Sequence, residues 1–83
     1  MWDDQFEQSV RTFLPFLAPQ EPLEPDAELR DLGLDSLGMV QLLGTLEETY
    51  QIRFLDGALT LETFRSARVL WATVEGMLQR AAS

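Results

Sequence analysis

The chain has 83 residues, 46% of them hydrophobic, and a net charge of −8 from fourteen acids against six cations, all of them arginine. It contains no His, Cys or Lys, which excludes a disulfide scaffold and thiolate metal sites and removes the bases that normally activate a serine nucleophile. Its acidity opposes nucleic-acid phosphates and fits a basic protein partner instead.

This length makes a single domain, residues 1–83, burying only about 60–65% of the surface its unfolded chain exposes. One modest core is possible, with no room for a deep enclosed active site. The apolar runs are all short, so no membrane span and no secretory signal are expected. Together with the missing cysteines, this fits a cytoplasmic protein.

In chain order, the first helical pattern runs from Asp3 to Leu14, with Phe6, Val10, Phe13, Leu14 and Leu17 on one face. Asp3, Asp4 and Glu7 occupy its first turn, where the helix dipole favours anions. Pro15 restricts Leu14 and ends or kinks the helix there. A connection of roughly seventeen residues follows, from Ala18 to Leu34, with Pro19, Pro22 and Pro25. Its Leu23, Leu29 and Leu32 are expected to fasten it to the core.

The second helix starts after Asp35 as N-cap and ends near Tyr50. Met39, Leu42, Leu43, Leu46 and Tyr50 fall within a sector of about 100° and form the core stripe. The opposite face carries Leu37, Val40, Gln41, Gly44, Glu47, Glu48 and Gln51, an apolar patch followed by acids that suggests a docking surface. Gly38 and Gly44 each lower helix propensity by about 1 kcal/mol relative to Ala, predicting more motion in this helix. A turn at Asp56-Gly57 and a brief helix from Leu61 to Phe64, capped by Thr60, come next. Ser66 then caps the last helix, with Ala67, Leu70, Trp71, Val74, Met77 and Leu78 on one face. No segment shows strand alternation. The expected fold is all-α, a small antiparallel four-helix bundle of three main helices plus a short third one.

Ser36 lies just after the cap, where first-turn amides and the dipole favour an attached anion such as a phosphodiester. Plain helix capping explains Asp35-Ser36 equally well from spacing alone. A serine hydrolase is excluded by the missing base and by the lack of a Gly-x-Ser-x-Gly elbow. A calcium loop begun at Asp31 would end on Leu42 instead of the bidentate Glu it needs. An acidic helical module that binds a partner and is never modified is the alternative from a different class.

Leu32-Gly33-Leu34-Asp35-Ser36-Leu37, followed by Met39, Val40, Leu42, Leu46, Glu47, Glu48, Tyr50, Ile52 and Phe54, resembles the acyl carrier protein family of phosphopantetheine-binding carriers. The likeness covers the end of the long loop, the second helix and the segment after it, and the flanking helices agree in order with that family's four-helix bundle. It implies a carrier and not an enzyme, in which Ser36 receives 4'-phosphopantetheine from coenzyme A through a separate phosphopantetheinyl transferase and Mg²⁺. The thiol of that arm would hold an acyl or aminoacyl group as a thioester. By the same likeness Asp35 supports the transferase reaction, Leu37 and Val40, beside Gln41, contact partner enzymes, and Glu47 and Glu48 meet basic side chains on them. The implied partners are an acyl- or aminoacyl-loading enzyme and downstream synthase, condensation or tailoring enzymes, met by a free-standing monomer. Carriers of fatty acid synthesis usually have acids where this chain has Gly38 and Gln41, and a large apolar residue at Gly44. These departures favour polyketide, nonribosomal peptide or lipopeptide biosynthesis. Peptidyl carriers commonly have Gly where this chain has Leu34, which leans the cargo towards acyl.

Overall fold

The computed structural model describes residues 2–54 and 62–82. Three α-helices, α1 (Asp4–Thr12), α2 (Ser36–Tyr50) and α3 (Ala67–Ala82), together with a 3-10 helix at Leu29–Leu32, make up its regular structure. An isolated antiparallel bridge between Glu28 and Ser66 is the extent of β-pairing among the described residues, so the expected all-α class is what the chain forms. Asp56, Gly57, Thr60 and Leu61, on which a turn and the start of a short helix were expected, lie outside the described residues; Glu62, Thr63 and Phe64 form a turn.

Helix α1 starts where the sequence places it. The Asp3 carboxylate accepts from the Phe6 N–H at 2.8 Å, satisfying one of the amides that a helix start leaves without an intrahelical partner. The Trp2 indole N–H donates to Glu7 Oε1 at 3.0 Å, and Arg11 Nε donates to Glu7 Oε2 at 2.9 Å. The indole bond first, and the guanidinium second, hold the Glu7 carboxyl below its usual range. The helix ends two residues earlier than expected, because the residue before Pro15 is pushed out of the helical region. Phe13 and Leu14 tighten into i→i−3 bonds, to Val10 and Arg11 carbonyls at 3.0 and 3.1 Å. Leu14 nevertheless remains buried with Phe6 and Val10.

The long connection is not a slack tether. Its Leu23, Leu29 and Leu34 are buried, each contributing about 1.5–3 kcal/mol, and hydrogen bonds stitch it to the start of α3. Leu29 N–H donates to the Arg65 carbonyl at 2.9 Å, and Arg68 N–H donates to the Pro25 carbonyl at 3.0 Å. The Arg68 guanidinium grips Asp26 with both prongs, at 2.7 and 3.1 Å, and that hydrogen-bonded contact lowers the carboxyl's pKa. At the other end Arg11 holds the loop through the Ala18 and Glu21 carbonyls, at 3.4 and 2.6 Å.

Gly33 ends the 3-10 helix in the left-handed region, at φ +104°. A Cβ there would stand 2.6 and 2.7 Å from the Pro15 Cγ and Cδ, so only glycine lets the loop close onto the end of α1. Helices α1 and α2 run antiparallel: Phe13 lies against Gly38 at the start of α2, while the Tyr50 hydroxyl at its end donates to Asp3 at the start of α1. Burial first, and the Asp3 carboxylate second, push the Tyr50 pKa up. Trp71 of α3 packs edge-on against Phe6 and Tyr50, with ring centroids 5.0 and 6.3 Å apart, so one aromatic cluster joins all three helices. Ser66 caps α3 as expected, its Oγ accepting from Val69 N–H at 3.3 Å.

The glycines give opposite expectations for stability. Nothing lies within 4 Å of where a Gly44 Cβ would stand on the solvent side of α2. Gly44→Ala is therefore expected to raise the urea midpoint, by about 0.5–1 kcal/mol of stability. Gly33→Ala should lower it by about 1–3 kcal/mol, the cost of a strained backbone, before any clash with Pro15 is counted. Tryptophan fluorescence from the aromatic cluster reports both transitions.

Candidate functional site

Asp35 precedes α2 in extended conformation, and its Oδ1 accepts from Gly38 N–H at 2.7 Å while its carbonyl accepts from Met39 N–H at 2.9 Å. Gly38 is buried, and a Cβ there would stand 3.1 Å from Asp35 Oδ1 and 3.2 Å from Leu34 Cδ1. The glycine thus makes room for the capping carboxylate and for Leu34, which anchors the turn in the core. That packing is a physical reason for a residue that sequence propensity counts only as a weakness.

Ser36 follows as the first residue of α2 and is exposed. The amides of Ser36 and Leu37 belong to the first turn, where no intrahelical acceptor exists. A negatively charged group on the Ser36 oxygen would face these donors and the positive end of the dipole, a placement worth about 0.3–1 kcal/mol at an exposed site. The Asp35 Oδ2 has no partner among the described residues, so that oxygen remains available. The residues present therefore fit a serine-linked phosphodiester.

On the outward face of α2, Leu37 is 66% and Val40 52% exposed, with Gln41, Gly44 and Glu48 also exposed. The inward residues Met39, Leu42 and Leu46 are buried, and Leu43 and Tyr50 partly so. The two acids at the end of this face differ. Glu48 is exposed, whereas Glu47 is half-buried and its Oε2 accepts from the Phe54 N–H at 2.8 Å. Periodicity treats the pair as alike because it cannot register a hydrogen bond to a residue seven positions on.

Two features of this end of the molecule were missed by sequence reasoning. A cleft of about 220 Å³ opens beside the start of α2, with Leu34, Met39 and Phe64 as apolar lining and Glu28, Arg30, Glu62 and Arg65 around them. Phe16, just past Pro15, is 73% exposed. Its signal was present: an aromatic residue off the apolar face of α1, between a proline and a polar loop. Among the described residues no cluster of acids could hold a metal ion, and no helix is long and apolar enough to cross a membrane.

Comparison with known proteins bears on this same region. The family described as "Phosphopantetheine attachment site" matches residues 4–70, which take in α1, the loop, α2 and the start of α3. The chain is also similar to Aminoacyl carrier protein 2 of Bradyrhizobium diazoefficiens, with 33% identity over 61 residues, 74% of this chain and 68% of that protein. Members of the family are carriers rather than enzymes, bear covalently attached 4'-phosphopantetheine and work with modifying and biosynthetic enzymes. By both comparisons the chain belongs to the phosphopantetheine-binding, acyl-carrier family.

Proposed function

We propose that Ser36 is the attachment point of the phosphopantetheine arm, and that the chain carries acyl or aminoacyl groups in polyketide, nonribosomal peptide or lipopeptide biosynthesis. The observation that carries this reading is the exposed Ser36 hydroxyl at the first position of α2, beside a capping Asp35 and inside the matched region. When bound, the arm supplies a thiol that holds cargo as a thioester. The chain's own work is to present, orient and dock.

Ser36 Oγ accepts the phosphoryl group, and its proton leaves to a base on the transferase, since the chain has no His or Lys to take it. The Ser36 and Leu37 amides then stabilise the charge of the phosphodiester. Asp35 divides its carboxylate between the two tasks: Oδ1 holds the turn through Gly38, and Oδ2 orients the Mg²⁺ that the transferase brings with coenzyme A. Leu37 and Val40 provide apolar contact for partner enzymes, with Gln41 beside them. Glu48, and Glu47 through the charge it keeps, face basic side chains, an arrangement that chiefly raises encounter rate. The name of the Bradyrhizobium relative assigns aminoacyl cargo to that protein and supports the aminoacyl side of this reading. Leu34, in place of the glycine common in peptidyl carriers, supports the acyl side.

Incubation with coenzyme A, Mg²⁺ and a broad-specificity phosphopantetheinyl transferase should add the mass of one phosphopantetheine to the wild-type chain and none to Ser36→Ala. Addition at another residue, or no addition to folded protein, overturns the assignment. Asp35→Asn keeps an N-cap of equal quality, so its melting temperature should match wild type while modification slows tenfold or more. Asp35→Ala should also lose stability, by about 0.5–2 kcal/mol.

A further inference from the structure

We propose that Phe16 is an aromatic anchor for the transferase that modifies Ser36, extending the docking surface from α2 across to the end of α1. This rests on the reading of Ser36 as the attachment point. Phe16 is the most exposed of the large apolar side chains at 73%, ahead of Leu37 and Val40. Those two lie on the α2 side of Ser36, whereas Phe16 approaches from the loop side. Its Cδ2 lies 3.3 Å from the position a Cβ would take on Gly33, three residues before Ser36.

Three extended residues span at most about 11 Å, and the left-handed turn at Gly33 shortens that span. The edge of the ring is therefore within roughly 15 Å of the Ser36 Cα. A docking patch of standard size covers about 800 Å² per partner, a disc of radius about 16 Å. An enzyme that bonds a phosphoryl group to Ser36 Oγ must centre its footprint on that residue, and the footprint then reaches Phe16. Enzymes acting at the far end of a flexible arm are under no such constraint, which singles out the transferase among possible occupants.

The ring is also cheap to bind. Phe16 N–H donates to the Leu32 carbonyl at 3.0 Å, Pro15 fixes the residue before it, and the Pro15 ring packs on Gly33. An aromatic side chain on an ordered backbone loses little freedom on docking, and such residues dominate interface energetics. The charge nearby selects the partner's chemistry. Asp31 and Asp35 are exposed on the segment that carries Gly33, while its single cation, Arg30, lines the cleft with Leu34 and Met39. The fitting surface is an apolar pocket rimmed by basic side chains.

The test measures kcat/KM for modification by the broad-specificity transferase with coenzyme A and Mg²⁺. Phe16→Ser should lower it about tenfold or more, through KM, with melting temperature and circular dichroism unchanged. Phe16→Tyr keeps the ring and should match wild type. Phe16→Gln, with a side chain of longer reach over Gly33 than Ser, provides a second polar variant should Phe16→Ser lose its fold. Wild-type kcat/KM in the folded polar variants overturns the proposal, as does a wild-type dimer in size-exclusion chromatography that the substitutions dissolve, which would assign the ring to self-association. Failure of the wild-type chain to accept the group at Ser36 is a separate outcome, and it removes the underlying reading as well.

Discussion

The contact between Pro15 and Gly33 governs where everything functional in this molecule lies. Pro15 ends α1 and offers a flat ring; Gly33 turns with a positive φ and has no Cβ to keep that ring away. Two chain segments separated by the whole loop thereby meet at van der Waals distance, and the next residues, Leu34 and Asp35, have one course available. Leu34 enters the core and Asp35 caps α2. The position of Ser36 follows from a steric fit, one that a side chain of any size at residue 33 would spoil.

The loop's length makes sense in this light. Ordering each of its residues costs about 1–2 kcal/mol of backbone entropy, opposed by buried leucines, by the Leu29–Arg65 and Arg68–Pro25 backbone bonds, and by the Asp26–Arg68 pair. That exposed ion pair contributes little by itself, and the leucines dominate. Without them the segment before Ser36 would have no fixed end from which to begin the turn.

Helix α2 was legible in full from sequence because each of its determinants is local: an Asp cap, a repeat of apolar side chains at helical spacing, and a polar opposite face. The cap of α3 at Ser66 was readable for the same reason. The 3-10 helix at Leu29–Leu32 was not, since four residues give no periodicity and its backbone is held by Arg65, far along the chain. Gly38 read as a defect when judged by propensity, whereas its value lies in contacts with Leu34 and Asp35 that only the folded chain makes. The unequal roles of Glu47 and Glu48 and the exposure of Phe16 depend likewise on what neighbours do, and periodicity carries none of that. Of the site, the serine and its cap were readable, while the extent of the surface around them was not.

The Asp3 carboxylate serves two masters with one oxygen, accepting from the Phe6 amide and from the Tyr50 hydroxyl. Helices α1 and α2 are consequently braced at the end remote from Ser36 as well as at the near end, and the pair behaves as a single stiff plate. A visiting enzyme must conform to that plate, because the carrier has little give on this side. Complexes made this way gain no strength from wrapping or refolding, so their lifetime is set by a handful of surface side chains. A shuttle that calls on several enzymes in turn benefits from such quick release.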